Sequence, residues 1–157
     1  TAAAVSKKRE RTSPVEEFVQ ALHLKLKAAG TEERRAADRQ YLKMPASLLN
    51  YGVTVPENTK IVKKWRKELP DSVSVDDLFE AGKLLWRHDP PIYDLRLATA
   101  KLFREVAKEL PSTTLPFFEE ILDTSGTWAL IDEFATNVVP AVLRKLPKEV
   151  KQKFFYG

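Results

Sequence analysis

The chain has 157 residues, 43% of them hydrophobic, and no cysteine; it is long enough for one domain with its own core, and disulfides, thiolate catalysis and cysteine-based zinc sites are excluded. Its formal charge of +4 is unevenly spread: residues 1–70 hold 15 Lys and Arg against 8 Asp and Glu, residues 71–133 hold 6 against 13, and residues 134–157 hold 5 against 1. The basic ends are suited to face phosphates or to serve as plain solvated surface, and the acidic middle argues against a uniformly basic nucleic-acid binder.

Residues 1–13 read as a flexible basic segment, with no apolar signal stretch. A first helix is predicted from Pro14 to about Ala29. Ser13 is its cap, Glu16 and Glu17 lie in the first turn, and Phe18, Leu22 and Leu26 form an apolar stripe that Gly30 ends. Thr31 caps a second helix, Glu32 to Leu42, which Pro45 stops. The loop Asn50-Tyr51-Gly52-Val53-Thr54-Val55 follows, and Pro56 opens a third helix through Leu69. Ser74 caps a fourth, which turns Leu78, Leu85 and Trp86 inward before Asp89-Pro90-Pro91 breaks it. A long fifth runs from about Pro91 to Leu110, and a short sixth holds Phe117, Phe118, Ile121 and Leu122. A seventh starts near Trp128, with Pro140 kinking or ending it, and an eighth starts near Pro147.

No stretch alternates apolar and polar residues for long, so the expected fold class is all-α. Taken in pairs, helices begin near residues 14, 56, 91 and 127. That spacing of about 40 residues fits HEAT-like helix pairs over residues 14–157 stacked into a curved α-solenoid; an irregular helical bundle is the alternative. No run approaches the roughly 18 consecutive apolar residues of a membrane span, and a cytoplasmic protein is expected.

Little in the sequence carries familiar chemistry. The histidines, His23 and His88, are 65 residues apart and lack convincing ligand spacing, so no metal or cofactor is expected. Gly-x-Ser-x-Gly and phosphate-cradling glycine motifs are absent. Lys63-Lys64-Trp65-Arg66-Lys67 mixes basic and aromatic residues as a nucleic-acid grip would. Ile61, Trp65 and Leu69 form a helical stripe, however, which places Trp65 in the core and the lysines on a solvated face. Trp128 and Asp132 are the most informative pair, because four residues on one helix place them on one face a turn apart. Ala135 and Val139 continue that face, with Ile131 beside it. A carboxylate on an apolar stripe is either a functional group or the partner of a basic side chain on a neighbouring helix, since burying it alone is costly.

The stretch Thr127-Trp128-Ala129-Leu130-Ile131-Asp132 resembles the Trp-x-x-x-Asp segment of the DNA alkylation repair family, alkylpurine DNA glycosylases built from HEAT-like repeats. Tyr41-Leu42-Lys43 with Tyr51-Gly52-Val53-Thr54-Val55-Pro56 resembles its early tyrosine-lysine and glycine-x-x-x-proline segment. Leu85-Trp86 with Tyr93-Asp94-Leu95-Arg96-Leu97-Ala98 resembles its tryptophan segment and the helix after it. The matches span residues 41 to 139 in the right order. In the family a second tryptophan often stands where Thr127 is, and glutamate is commoner than Asp94. Family chains also carry further helices, so this chain is expected to lack part of the site wall and to be less active than a longer one.

The resemblance implies hydrolysis of the N-glycosidic bond of N3- or N7-alkylated purines in double-stranded DNA by a monomer. Asp132 and Trp128 are the implied catalytic residues, and Lys60, Lys63, Lys64, Arg96, Arg144, Lys145 and Lys148 the expected DNA contacts. The alternative is a non-catalytic HEAT-like scaffold that binds DNA or protein.

Overall fold

The structure is a computed structural model that describes residues 14–144 and 146–148. The predicted N-terminal segment, Ser13, Lys145 and most of the predicted eighth helix lie outside the described residues. Those described form eight helices and no sheet: α1 (Pro14–Ala29), α2 (Glu32–Tyr41), α3 (Val55–Lys67), α4 (Val75–Trp86), α5 (Tyr93–Val106), α6 (Thr114–Thr124), α7 (Trp128–Asn137) and α8 (Val139–Arg144). Their only strand-like pairing is a single parallel bridge between Leu49 and Ile92. None of these helices is long and apolar enough to cross a membrane.

Local chemistry sets the helix starts. Thr31 and Thr54 accept hydrogen bonds from the Arg34 and Glu57 amides, and Ser74 forms a reciprocal capping box with Asp77. Each bond satisfies one of the amide donors that a first turn leaves open. Proline at the second position of α8 is tolerated for the same reason, so the chain does not kink at Pro140. It breaks at Val138, where α7 ends and α8 begins.

α5 is the central element. It packs against α3, α4 and α7, and more lightly against α1, while α1 packs on α3 and α4. All but two of its 14 residues are buried, so it shows no polar face from which its ends could be read, and it is shorter than predicted. Close approach to α4 depends on Gly82, where an added Cβ would lie 2.2 Å from the buried Phe103 ring. Gly82→Ala is therefore expected to destabilise the fold by about 1–3 kcal/mol through overpacking, measured by denaturant unfolding; unchanged stability would show that Phe103 can move aside. Around this contact Phe79, Phe103, Phe117, Trp86 and Phe134 form a cluster with centroids 5.5–6.4 Å apart, edge-to-face in every pair but the tilted Phe79–Phe103.

The loop between α2 and α3 is tied to α5 by Asp94. Its carboxylate, fully buried, accepts from the Tyr51 amide at 2.5 Å and the Val53 amide at 3.0 Å, and Asn58 Nδ2 donates to the Asp94 carbonyl. Gly52 between the two amides has φ +80, and its missing side chain lets the loop lie against Thr31 and Arg35.

The same loop reaches His23, whose ring meets His88 where α1 packs on α4. His23 Nε2 is 2.5 Å from the Tyr51 hydroxyl oxygen, and the His23 ring meets His88 edge-on at 4.8 Å. Burial, then the charges of His88 and Lys27, push His23 below its ordinary value of 6.5. The unfolded chain binds this proton more tightly, so the stability from His23 is fully present above that value and is lost as pH falls through the lowered one. His23→Gln is expected to flatten the loss of melting temperature between about pH 7 and 5; an unaltered slope would show that His23 does not govern it.

Candidate functional site

α7 positions the pair singled out by sequence. Gly126, at φ +76, turns the chain into the helix, and Thr127 caps it by accepting from the Ala129 amide. The buried face of α7 is Leu130 and Phe134, continued by Val138. That rotation turns Trp128 and Asp132 outward: Trp128 is 58% exposed and Asp132 is exposed as well. The apolar stripe expected around Asp132 is therefore not core-facing, because Ala135 is exposed and Ile131 and Val139 are only half-buried. Among the described residues no ion pair or hydrogen bond is formed by Asp132. No described residue of a neighbouring helix forms a salt bridge with it.

A second aromatic stands beside Trp128. Tyr41, the last residue of α2 and 75% exposed, meets the indole edge-on at 6.5 Å. The α2 end is fixed by Arg39, whose guanidinium donates to the Leu48 and Pro45 carbonyls and to Asn50 Oδ1. Leu48 in turn lies against Gly126, 3.2 Å from where a Cβ would sit. Two loops some 80 residues apart in sequence thus lock together and hold the two rings side by side. Tyr41 carries a signal in sequence, as an aromatic with no stripe to join at the end of a very polar helix.

The helices that carry the two rings also carry ion pairs. Glu133, next to Asp132, takes the Lys101 ammonium at 2.7 Å, and Asp38 takes Arg34 at 2.9 Å. Between them Tyr93 is buried, and its hydroxyl is pushed up to about 12, first by burial and then by Asp38, Asp94 and Glu133. It is a neutral phenol at physiological pH.

The expected DNA contacts divide. Lys60, Lys63, Lys64, Arg144 and Lys148 are exposed, and Lys60, Lys63 and Lys64 share the α3 surface. Arg96 departs from the expectation. It is buried, lies over the Trp86 ring at 4.7 Å, and donates to the Trp86 and Thr124 carbonyls. Burial lowers its pKa, and its donors hold α5 to the ends of α4 and α6 rather than facing solvent. Trp65 is core, with Nε1 donating to the Phe18 carbonyl at 2.8 Å.

Comparison with curated proteins and with solved structures finds no match. The family model described as DNA alkylation repair enzyme matches residues 22–155, which is most of the chain and includes Tyr41, Trp128 and Asp132. The chain belongs to the DNA alkylation repair enzyme family.

Proposed function

We propose that this protein is a DNA glycosylase that hydrolyses the N-glycosidic bond of N3- or N7-alkylated purines in duplex DNA, acting as a monomer on a HEAT-like solenoid. The observation that carries the reading is an exposed carboxylate with no partner among the described residues, one helical turn from an exposed indole, on a chain of this family. Packing of α1 on α3, α3 on α5 and α5 on α7 supports the stacked-repeat arrangement, since alternate helices of successive pairs neighbour one another in such arrays.

The chemistry fits these groups. An alkylated purine carries positive charge, so it departs as a neutral base with the electrons of the glycosidic bond and needs little help from a general acid. Charge then develops on the sugar. Asp132 stabilises that cation and orients the water whose oxygen bonds to C1′, while the water proton passes to the carboxylate or to solvent. Trp128 offers its ring face to the same positive charge. DNA laid across the open face excludes water from Asp132 and strengthens its field.

Incubation with a duplex holding one N7-methylguanine tests this. The expected products are free 7-methylguanine and an abasic site; a repaired guanine still attached to its sugar would show a different chemistry. Trp128→Ala is expected to slow base release about 5- to 30-fold, the range of a partly desolvated cation–π contact, with little change in melting temperature because the ring is exposed. A large melting shift would assign Trp128 a structural role.

A further inference from the structure

α7 carries two apolar rows, and only one of them faces the core. Leu130 and Phe134, continued by Val138, are buried against α5. Ile131 and Ala135, continued by Val139, are half-buried or exposed and line an apolar hollow of about 430 Å³ between α6 and α8. The rows begin at neighbouring residues, so they stand roughly 100° apart around the helix axis. Apolar burial alone separates the two rotations weakly. The choice decides the site, because the observed rotation is the one that leaves Trp128 and Asp132 exposed.

One polar contact tells the rotations apart. Lys101 on α5 is buried, and its ammonium lies 2.7 Å from the Glu133 carboxylate. Among the described residues neither group has a second ion-pair partner. With Leu130 and Phe134 inward, Glu133 stands on the flank of α7 that reaches Lys101. Turning the helix until Ile131 and Ala135 face inward points Glu133 away from α5 and swings Trp128 towards the core. The Lys101 ammonium is then left in the interior without a counter-charge, which is costly.

We infer that the Lys101–Glu133 ion pair sets the rotational register of α7, selecting the state in which Trp128 and Asp132 face solvent. Both are positioning residues: they act through the helix and not on substrate. A buried ion pair adds little net stability, because desolvation offsets its attraction, and its best-attested use is to exclude wrong registers. The consequence for base release rests on the glycosylase reading, whereas the consequence for the helix does not. Sequence alone did not reveal the pair, whose members are 32 residues apart.

The test compares wild type, Lys101→Met, Glu133→Ala and the charge-swapped double variant Lys101→Glu with Glu133→Lys. Two readouts are taken well below the melting temperature of each: acrylamide quenching of tryptophan fluorescence, and single-turnover release of 7-methylguanine. Trp65 and Trp86 are 3% and 1% exposed against 58% for Trp128, so quenching reports Trp128. Methionine keeps an apolar stem at position 101, and Glu133→Ala decides the matter if that variant does not fold. Each single variant is expected to lower quenching, as Trp128 turns inward for part of the time. Base release is expected to slow about 10-fold or more, since a displacement of about 1 Å costs as much as 10²-fold. The charge-swapped pair is expected to restore quenching. Quenching equal to wild type in the single variants would overturn the inference, whether release or melting temperature falls or not, because the pair would then act on something other than the rotation of α7. Lowered quenching in variants of a protein whose wild type releases no base would retain the register role and remove the glycosylase reading; base release by wild type with unaltered quenching in the variants would do the reverse.

Discussion

Asp94→Ala is expected to destabilise the fold by about 3 kcal/mol or more, a fall of roughly 10 °C in melting temperature for a chain of this size. The carboxylate is wholly buried and holds the Tyr51 and Val53 amides, 43 and 41 residues away in sequence. Alanine leaves two amides without acceptors, and each buried unsatisfied donor costs about 1–3 kcal/mol. The α2–α3 loop then loses its tie to the central helix. Asp94→Asn keeps one acceptor but turns an amino group on the second amide, so its stability is expected to fall between the two.

The pH dependence of Asp94 has the opposite sign to that of His23. Burial raises its carboxyl pKa above 3.8, and the two amide bonds only partly offset this. The folded state therefore binds that proton more tightly. Its contribution is greatest below 3.8 and declines as pH rises through the raised value. Melts of Asp94→Asn, compared with wild type across about pH 3–7, should show a stability gap that narrows with rising pH; a widening gap would mean the amide bonds outweigh the burial.

Helix ends were largely legible in the sequence because they depend on local chemistry. Thr31 and Ser74 cap the helices they were expected to cap, and Trp128 stands at the start of its helix. α5 was misjudged in length because a helix buried on nearly every side has no polar face to mark its ends. Two errors have the same cause, a partner distant in the chain. Arg96 reads as a surface cation, yet its acceptors are main-chain carbonyls of Trp86 and Thr124, which no side-chain pattern reveals. His23 and His88 read as unrelated, and the packing of α1 on α4 brings them into contact. The face of Asp132 was ambiguous for another reason. α7 offers two interleaved apolar rows, Trp128-Ile131-Ala135-Val139 and Leu130-Phe134-Val138, and only packing against α5 decides that the second is buried.

That decision makes Asp132→Asn informative. The side chain is exposed and has no partner among the described residues, so the substitution removes charge without disturbing packing or breaking an ion pair. The melting temperature should stay where it is. DNA affinity should hold or tighten, since a negative charge near phosphates is gone. The loss should fall on the chemical step, where one preorganised electrostatic group contributes about 10²–10³ in rate. The most direct measurement is single-turnover release of 7-methylguanine from a saturating excess of protein, with a thermal melt of the same samples. The expected rate for Asp132→Asn is about 10²–10³ lower at an unchanged melting temperature. Near-normal release from a variant that is equally folded would contradict it.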